Sequence, residues 1–269
     1  MGVGDALMAS GEVRVLRQIN PEKKYVIGDG LRYYWNEVFN NNPYIIKGSE
    51  IKNHSDVTWI HNYEGNRPYR NYDTKLPKDN YNWKKEYKPQ RGEIFFTSKE
   101  IELANLAISN IKKKIGKKKI IFIEPNVKKR LGYQNRDWGF NKWQKVVLEL
   151  KKNYEFLQIT YGDNKPLQGC ITINNLNFRS STAILSKCDL FIGTEGGMHH
   201  AAAATSTKAI VVFGGHISPN ITGYDFHKNL YIDSKESPCG NKQICKHCLE
   251  CMEKITCEMM VKEIKHILK

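Results

Sequence analysis

The sequence predicts an α/β fold, built on a parallel sheet with helices on both faces. Three observations lead to this prediction. Short, continuous apolar runs fit strands that are buried on both faces, segments with helical spacing lie between them, and glycine turns follow several of the runs. Strands that alternate with helices form parallel sheets. At 269 residues, the chain is long enough for one large domain or two smaller ones.

The N-terminal third is irregular, and its short apolar runs predict strands at residues 24–28, 43–46 and 57–60. Residues 62–90 form a polar stretch rich in Tyr, Asn and Pro, and loops of that length are usually functional or mobile. A helix is predicted at residues 98–114, with Ser98 as its N-cap.

The pattern is sharper from Lys118 onward. Strands are predicted at residues 120–123, 155–161, 171–173, 189–193 and 209–213. Helices are predicted at residues 141–151 and 181–187, in the alanine-rich segment after Gly197, and at residues 258–268. We therefore expect an N-terminal domain of residues 1–95 and a C-terminal, Rossmann-like domain of residues 96–269.

The chain is basic, with 42 Lys and Arg against 28 Asp and Glu and a net charge of +14. Such a charge favours polyanionic partners: nucleic acid, phosphorylated small molecules or an anionic membrane face. A lysine-rich proteome would explain it equally well. No apolar run approaches the ~18 residues that a membrane helix needs, and no signal-peptide pattern opens the chain. A cytoplasmic location is expected.

The strongest motif runs from Gly193 to Ala204, where a buried strand ends, two glycines turn the chain and a helix begins. A helix start offers unpaired N–H groups and a partial positive charge, which suit a diphosphate. A tight connection without a ligand is the alternative. The residues expected at this site are Thr194, Glu195, Gly196, Gly197, Met198 and His199.

Two more charged residues are candidates. Arg136 lies past the end of a predicted strand, and its planar guanidinium suits phosphate oxygens. Asp5 follows the glycine turn Gly2-x-Gly4 at the start of a helix, where a carboxylate often serves only as a cap.

Five of the seven cysteines crowd into one tail segment and could bind Zn²⁺ or an iron–sulfur cluster. Disulfides are less expected in a cytoplasmic protein. In each case the cluster would hold the C-terminal helix in place rather than perform chemistry. The residues are Cys239, Cys245, Cys248, Cys251 and Cys257.

Together these motifs resemble glycosyltransferase family 9, the ADP-heptose:lipopolysaccharide heptosyltransferases. The resemblance covers most of residues 118–269 and the N-terminal end, whereas residues 25–90 cannot be placed. The segments that carry it are Gly2–Ala9, Arg136-Asp137-Trp138 with Trp143, Gly193–Ala204, Val211–Gly214 with Ser218-Pro219, and Cys251–Thr256.

The resemblance implies a GT-B-like fold, with two Rossmann-like domains facing across a cleft. It implies inverting transfer of heptose or a related sugar from a nucleoside-diphosphate donor, with no metal required, to a lipopolysaccharide or surface-glycan acceptor. Asp5 would be the general base, and Arg136 would offset the charge of the leaving diphosphate. Contact with the inner membrane would be peripheral, and no nucleic acid is expected.

The sequence departs from the family in two places. Family members commonly have Asp, then Thr or Ser, then Gly before the donor-site helix, whereas this chain has Thr194-Glu195-Gly196. The N-terminal domain is reduced and lacks its first strand. We expect the true chain to start upstream of Met1. The alternatives are a truncated chain and a reduced relative whose sheet does without that strand. The alternative function is a nucleic-acid- or nucleotide-binding protein with a structural zinc site and no transferase activity.

Overall fold

The computed structural model describes residues 1–127, 133–162 and 164–269. The helices are α1 (Val3–Ile19), α2 (Ser98–Ile115), α3 (Phe140–Leu150), α4 (Phe178–Leu185), α5 (Gly197–Ala204), α6 (Pro219–Thr222), α7 (Lys246–Lys254) and α8 (Cys257–Ile267). The strands are β1 (Lys24–Ile27), β2 (Val57–Ile60), β3 (Lys119–Glu124), β4 (Tyr154–Thr160), β5 (Cys170–Asn174), β6 (Leu190–Thr194), β7 (Ala209–Phe213) and β8 (Lys228–Tyr231). Short 3-10 helices lie at Glu37–Phe39, Gly48–Asn53 and Tyr133–Arg136.

The larger sheet has six strands in the order β5-β4-β3-β6-β7-β8, and every neighbouring pair is parallel. This confirms the prediction of an α/β fold with a parallel sheet. The strand order reverses between β3 and β6, where Glu124 pairs with Gly193. In open α/β sheets, ligands bind in the crevice at the carboxyl ends of the strands at such a switch point.

The central strands β3, β6 and β7 are apolar on both faces because each face packs against helices. Along β3, Ile120 and Phe122 belong to one core cluster, and Ile121 and Ile123 belong to the other. The continuous apolar run in β3 thus reflects burial on two sides, as predicted.

The N-terminal part contains a smaller sheet, in which β1 and β2 are parallel. The strand predicted at residues 43–46 is reduced to a single bridge between Tyr25 and Ile45. Helix α1 begins at Val3, so Gly4 lies inside its first turn rather than in a turn before it. Buried residues of this part, including Leu7, share a core cluster with one face of the larger sheet.

Arg179 in α4 connects the two parts. Its side chain is almost fully buried, and its Nε donates to Glu100 Oε1 at 2.7 Å. The same guanidinium donates to the carbonyls of Val38 and Phe95. Glu100 also completes the capping box of α2 with Thr97, so the N-cap is Thr97 rather than Ser98. In the part of the chain that is described, we find no helix of a length and hydropathy that would cross a membrane.

Candidate functional site

The first turns of α1 and α5 lie against each other. A Cβ placed on Gly4 would be 2.9 Å from His200 Cδ2, and one placed on Gly197 would be 2.7 Å from Val3 Cγ2. Glycine at these two positions therefore permits the contact. The N-cap residues Gly2 and Gly196 provide no side-chain cap to either helix. The positive ends of two helices thus meet at one place, and this arrangement favours the binding of an anion.

Asp5 lies in the first turn of α1 and is only 8% exposed. Tyr69 donates its hydroxyl to Asp5 Oδ1 at 2.5 Å, and Arg67 donates Nε to Oδ2 at 3.0 Å. Burial and the Asp5 carboxylate raise the pKa of Tyr69 well above its usual value, so its hydroxyl keeps the proton. Burial alone would lower the pKa of Arg67, but the charge of Asp5, together with the effects of Tyr69 and the hydrogen bond to Asp5, raises it overall. Both oxygens of Asp5 are therefore acceptors.

Glu195 follows β6 at the start of α5 and is equally buried. Its carboxylate is ion-paired with Arg136, which ends a 3-10 helix in the connection after β3. His200 Nε2 lies 3.9 Å from Glu195 Oε1. Burial raises the pKa of Glu195, but the charges of Arg136 and His200 and the hydrogen bond from Arg136 together outweigh this effect, and the net shift is downward. Glu195 is therefore ionised, and the structure brings it together with Arg136.

The remaining predicted donor-site residues lie in the same turn. Thr194 ends β6, Gly196 is the N-cap of α5, and Gly197 and Met198 open the helix. His199 is placed differently from the prediction. Its ring is fully buried, packs against Phe213 and Tyr224, and has no hydrogen-bond partner within the described residues.

His200 occupies the place predicted for His199, next to Asp5 and Glu195. Its Nδ1 lies 2.9 Å from the Tyr224 hydroxyl, and burial lowers its pKa. Successive residues of a helix point about 100° apart, so the sequence alone could not show which of the two histidines faces the site. His200 and Tyr224 were therefore missed.

The stretch at residues 62–90, which the sequence left unassigned, supplies Arg67 and Tyr69. Tyr69 stacks on Trp83 with 6.2 Å between ring centroids, and Trp83 Nε1 donates to the His216 carbonyl at 2.8 Å. The Tyr81 N–H donates to the Gly240 carbonyl at 2.7 Å. The stretch therefore extends from Asp5 to two loops of the C-terminal part.

Glu124, at the carboxyl end of β3, is a further acidic residue that was not predicted. Its Oε1 accepts from the N–H and Nδ2 of Asn126 at 2.9 and 3.1 Å. Burial raises its pKa to about 7, so its protonation changes near neutral pH. It lies at the switch point, beside Gly193.

The cysteine cluster differs in membership from the prediction. The ligand atoms of Cys239, Cys245, His247 and Cys248 all lie within 4.8 Å of one another. Cys251 Sγ lies 3.4 Å from His247 Nε2, at the edge of the cluster. Cys257 lies elsewhere, because it opens α8 and its Sγ contacts the carbonyl of Lys142 at 3.6 Å.

The geometry of this group suits a tetrahedral metal. Zn–S distances of about 2.3 Å place two thiolates of a tetrahedron about 3.8 Å apart. The Sγ atoms of Cys239 and Cys248 are 3.1 Å apart, and those of Cys239 and Cys245 are 4.0 Å apart. His247 was missed because the predicted set was built from cysteine spacing alone.

Comparisons with known proteins find one family in the C-terminal part of the chain. The family model "Glycosyltransferase family 9 (heptosyltransferase)" matches residues 162–256, which include β6, α5 and the cysteine cluster. No curated protein matches the chain in sequence.

Three solved structures share the fold. The glycosyl transferase family 9 protein from Veillonella parvula DSM 2008 is 15% identical with a TM-score of 0.67, covering 100% of this chain and 95% of that one. The iron-containing dodecameric glycosyltransferase TibC from enterotoxigenic E. coli H10407 is 13% identical with a TM-score of 0.64, covering 99% and 74%. ADP-heptose lps heptosyltransferase II of E. coli is 12% identical with a TM-score of 0.58, covering 100% and 96%.

At these identities the structural likeness concerns the fold alone. The sequence match to the glycosyltransferase family 9 model covers residues 162–256 and favours an enzyme over the nucleic-acid-binding alternative. The resemblance predicted from the sequence is confirmed to this extent: the segment matches the family model, and the chain shares its fold with solved glycosyltransferase structures.

Proposed function

We propose that this enzyme transfers heptose or a related sugar from a nucleoside-diphosphate donor to a hydroxyl of a lipopolysaccharide or other surface-glycan acceptor. The observation that carries the proposal is the position of Asp5 beside the uncapped start of α5. Residues 1–95 would bind the acceptor, and residues 96–269 would bind the donor. The heptose and the ADP moiety are suggested by the name of the E. coli relative, ADP-heptose lps heptosyltransferase II.

The reaction is an inverting displacement that needs no metal. The Asp5 carboxylate takes the proton from the acceptor hydroxyl while that oxygen attacks the anomeric carbon of the donor. The bond between this carbon and the diphosphate oxygen breaks on the opposite face, and the electron pair leaves with the diphosphate. Asp5 supplies the base, and the two helix starts supply N–H donors for the leaving group.

Arg136 assists the departure of the diphosphate. Its guanidinium pairs with Glu195 at the start of α5, and its planar shape suits phosphate oxygens. Glu195 then holds the guanidinium next to the start of α5. In this interpretation Glu195 orients Arg136. An acidic residue can play this role from position 195 and need not stand at the position that is usual in the family.

The enzyme would bind its acceptor at the inner face of the membrane. The net charge of +14 favours peripheral contact with anionic lipid headgroups, each basic residue near the surface contributing about 1 kcal/mol.

We also propose that the tail holds one structural metal ion, Zn²⁺ or iron, through Cys239, Cys245, His247 and Cys248. The donor set and its spacing support this, and the related TibC is described as iron-containing. The metal would hold the start of α7 and the loop before it in place. It takes no part in the transfer.

Nucleotide binding tests the main proposal. The melting temperature of the protein is measured with ADP, UDP and GDP in turn. A ligand at 100 times its dissociation constant stabilises the fold by about 2.7 kcal/mol, a shift of roughly 5 °C for a chain of this size. We expect such a shift with ADP. An unchanged melting temperature with all three nucleotides would contradict the proposed donor site.

A further inference from the structure

We propose that Tyr69 and Arg67 are positioning residues for Asp5, and that residues 79–83 hold them there by binding loops of the C-terminal part. This inference rests on the proposed role of Asp5 as the base. It gives a function to the stretch at residues 62–90, which neither the sequence nor the family resemblance could assign.

The two hydrogen bonds at Asp5 leave lone pairs of the carboxylate for a substrate hydroxyl. A carboxylate has about four lone-pair sites, and here one bond is accepted by each oxygen, from Tyr69 at 2.5 Å and from Arg67 at 3.0 Å. Two sites remain for an acceptor hydroxyl. Because both oxygens are held, the carboxylate cannot rotate about its bond to Cβ without breaking a charge-assisted hydrogen bond. A base held in one orientation loses less entropy when the reaction begins.

Tyr69 and Arg67 are themselves held from a distance. Between β2 and α2 the chain forms no helix or strand within the described residues, and isolated backbone contacts, such as the Lys84 N–H to the Tyr69 carbonyl at 3.0 Å, hold the segment. The side chain of Tyr69 packs between the rings of Trp83 and Tyr87, with centroid distances of 6.2 and 5.9 Å. The packing of the rings therefore fixes the position of the Tyr69 hydroxyl relative to Trp83.

The anchor of this stack lies in the donor half. Trp83 Nε1 donates to the His216 carbonyl, in the loop after β7, and Tyr81 is bonded through its N–H to the Gly240 carbonyl. The N–H of Lys242 donates to the Asp79 carbonyl at 3.0 Å. Strand β7 also binds the turn before α5, since the Glu195 N–H donates to the Val212 carbonyl at 3.1 Å. The orientation of the base is thus tied to the half of the molecule that holds the donor.

The first test removes only the hydroxyl, with Tyr69→Phe, and keeps the ring stack. The turnover number for ADP release from ADP-heptose should fall about tenfold to a hundredfold, the effect expected for a hydrogen bond to a charged group. The dissociation constant for ADP should stay within about twofold of the parent value. The matched control is Tyr33→Phe, at an exposed tyrosine, which should change neither quantity.

A second variant tests the anchor. Trp83→Phe keeps an aromatic ring but removes the N–H that binds His216, and it should lower the turnover number about threefold to tenfold. Trp35→Phe is its control, because it removes an indole hydrogen bond to Asn40 outside the segment. If Tyr69→Phe and Trp83→Phe both keep the turnover number of the unmodified protein, the inference is overturned, but Asp5 can still be the base.

A double-mutant cycle tests the contact without any donor. Tyr69→Phe should lower the melting temperature in the parent, and should change it much less in an Asp5→Asn background, because the acceptor charge is then gone. Equal shifts in both backgrounds would show that Tyr69 and Asp5 do not interact. Parent-level turnover in Asp5→Asn would instead contradict the proposed function itself, so the two failures are distinguishable.

Discussion

Two buried carboxylates lie at the meeting point of α1 and α5, and they are held in different ways. Asp5 accepts hydrogen bonds from Arg67 and Tyr69, whereas Glu195 is paired with Arg136 and lies near His200. The partners of Glu195 follow strands of one parallel sheet. The partners of Asp5 come from a long stretch without regular structure, more than 60 residues along the chain.

The partners of the two carboxylates are therefore positioned in two different ways. Sheet topology places Arg136 and Glu195 together, because the carboxyl ends of neighbouring parallel strands share an edge. Aromatic packing against distant loops places Arg67 and Tyr69. In our proposal the first arrangement holds the donor, whereas the second depends on contacts between distant parts of the chain. The following predictions test whether the two carboxylates have these separate roles.

The largest effect is expected at Asp5. Asp5→Asn keeps the size of the side chain but removes the base, so sugar transfer should fall about 10²–10⁴-fold while ADP binding persists. The measurement is the turnover number beside the dissociation constant for ADP. Asp29→Asn is the matched control, since Asp29 also accepts a tyrosine hydroxyl, from Tyr63 at 2.9 Å. Loss of ADP binding in Asp5→Asn would show that Asp5 serves the donor site instead.

The next effect is expected at Arg136. Arg136→Met leaves the buried charge of Glu195 without its ion pair, which should destabilise the fold by about 3–5 kcal/mol. ADP binding should also weaken. Adding Glu195→Gln should recover most of the stability, because the unpaired charge is gone, but should not recover ADP binding. Denaturant unfolding and ADP titration measure the two effects, and recovery of both would argue against a phosphate contact by Arg136.

The histidines packed behind α5 predict acid lability. Burial lowers the pKa of His227 from 6.5 to about 4, so the unfolded chain takes up a proton at a higher pH than the folded one. Its stabilising contribution is complete above pH 6.5 and is lost as the pH falls toward 4, about 3 kcal/mol in all. Any loss at Glu195, whose pKa is also lowered, begins at lower pH.

The test for the histidines is the melting temperature between pH 7 and pH 4.5. His227→Phe should flatten this dependence, whereas His266→Phe, at an exposed position on α8, should not. If the melting temperature of His227→Phe depends on pH as steeply as that of the unmodified protein, the charging of other groups causes the acid lability.

The smallest effect on the donor site is expected from the tail metal. Removing it should lower the melting temperature, and should reduce turnover about threefold, because Gly240 next to Cys239 binds Tyr81. ADP binding should change little. Elemental analysis should find about one metal ion per chain, reduced in His247→Ala but kept in His266→Ala. If His247→Ala keeps the metal content of the unmodified protein, His247 is not a ligand.

The same contrast explains what could be predicted from the sequence. The runs at β3, β6 and β7 reveal the parallel sheet because burial on two faces leaves a continuous apolar signature. The glycines reveal the turn at the start of α5, where we propose that the donor binds. By contrast, which of His199 and His200 faces Asp5 depends on helix rotation. The contacts of Tyr69 and Trp83 depend on packing between residues far apart in the chain, which leaves no local pattern.

The domain boundary at residues 95–96 remains a prediction, and the positions of Asp5 and α5 do not depend on it. In our proposal a diphosphate binds where the first turns of α1 and α5 meet. A crystal structure with ADP tests this most directly. We expect phosphate oxygens within hydrogen-bonding distance of the backbone N–H groups at Gly196–Met198 and of Arg136, with Asp5 facing the terminal phosphate. ADP bound elsewhere, with this turn still closed by Glu195 and Arg136, would contradict it.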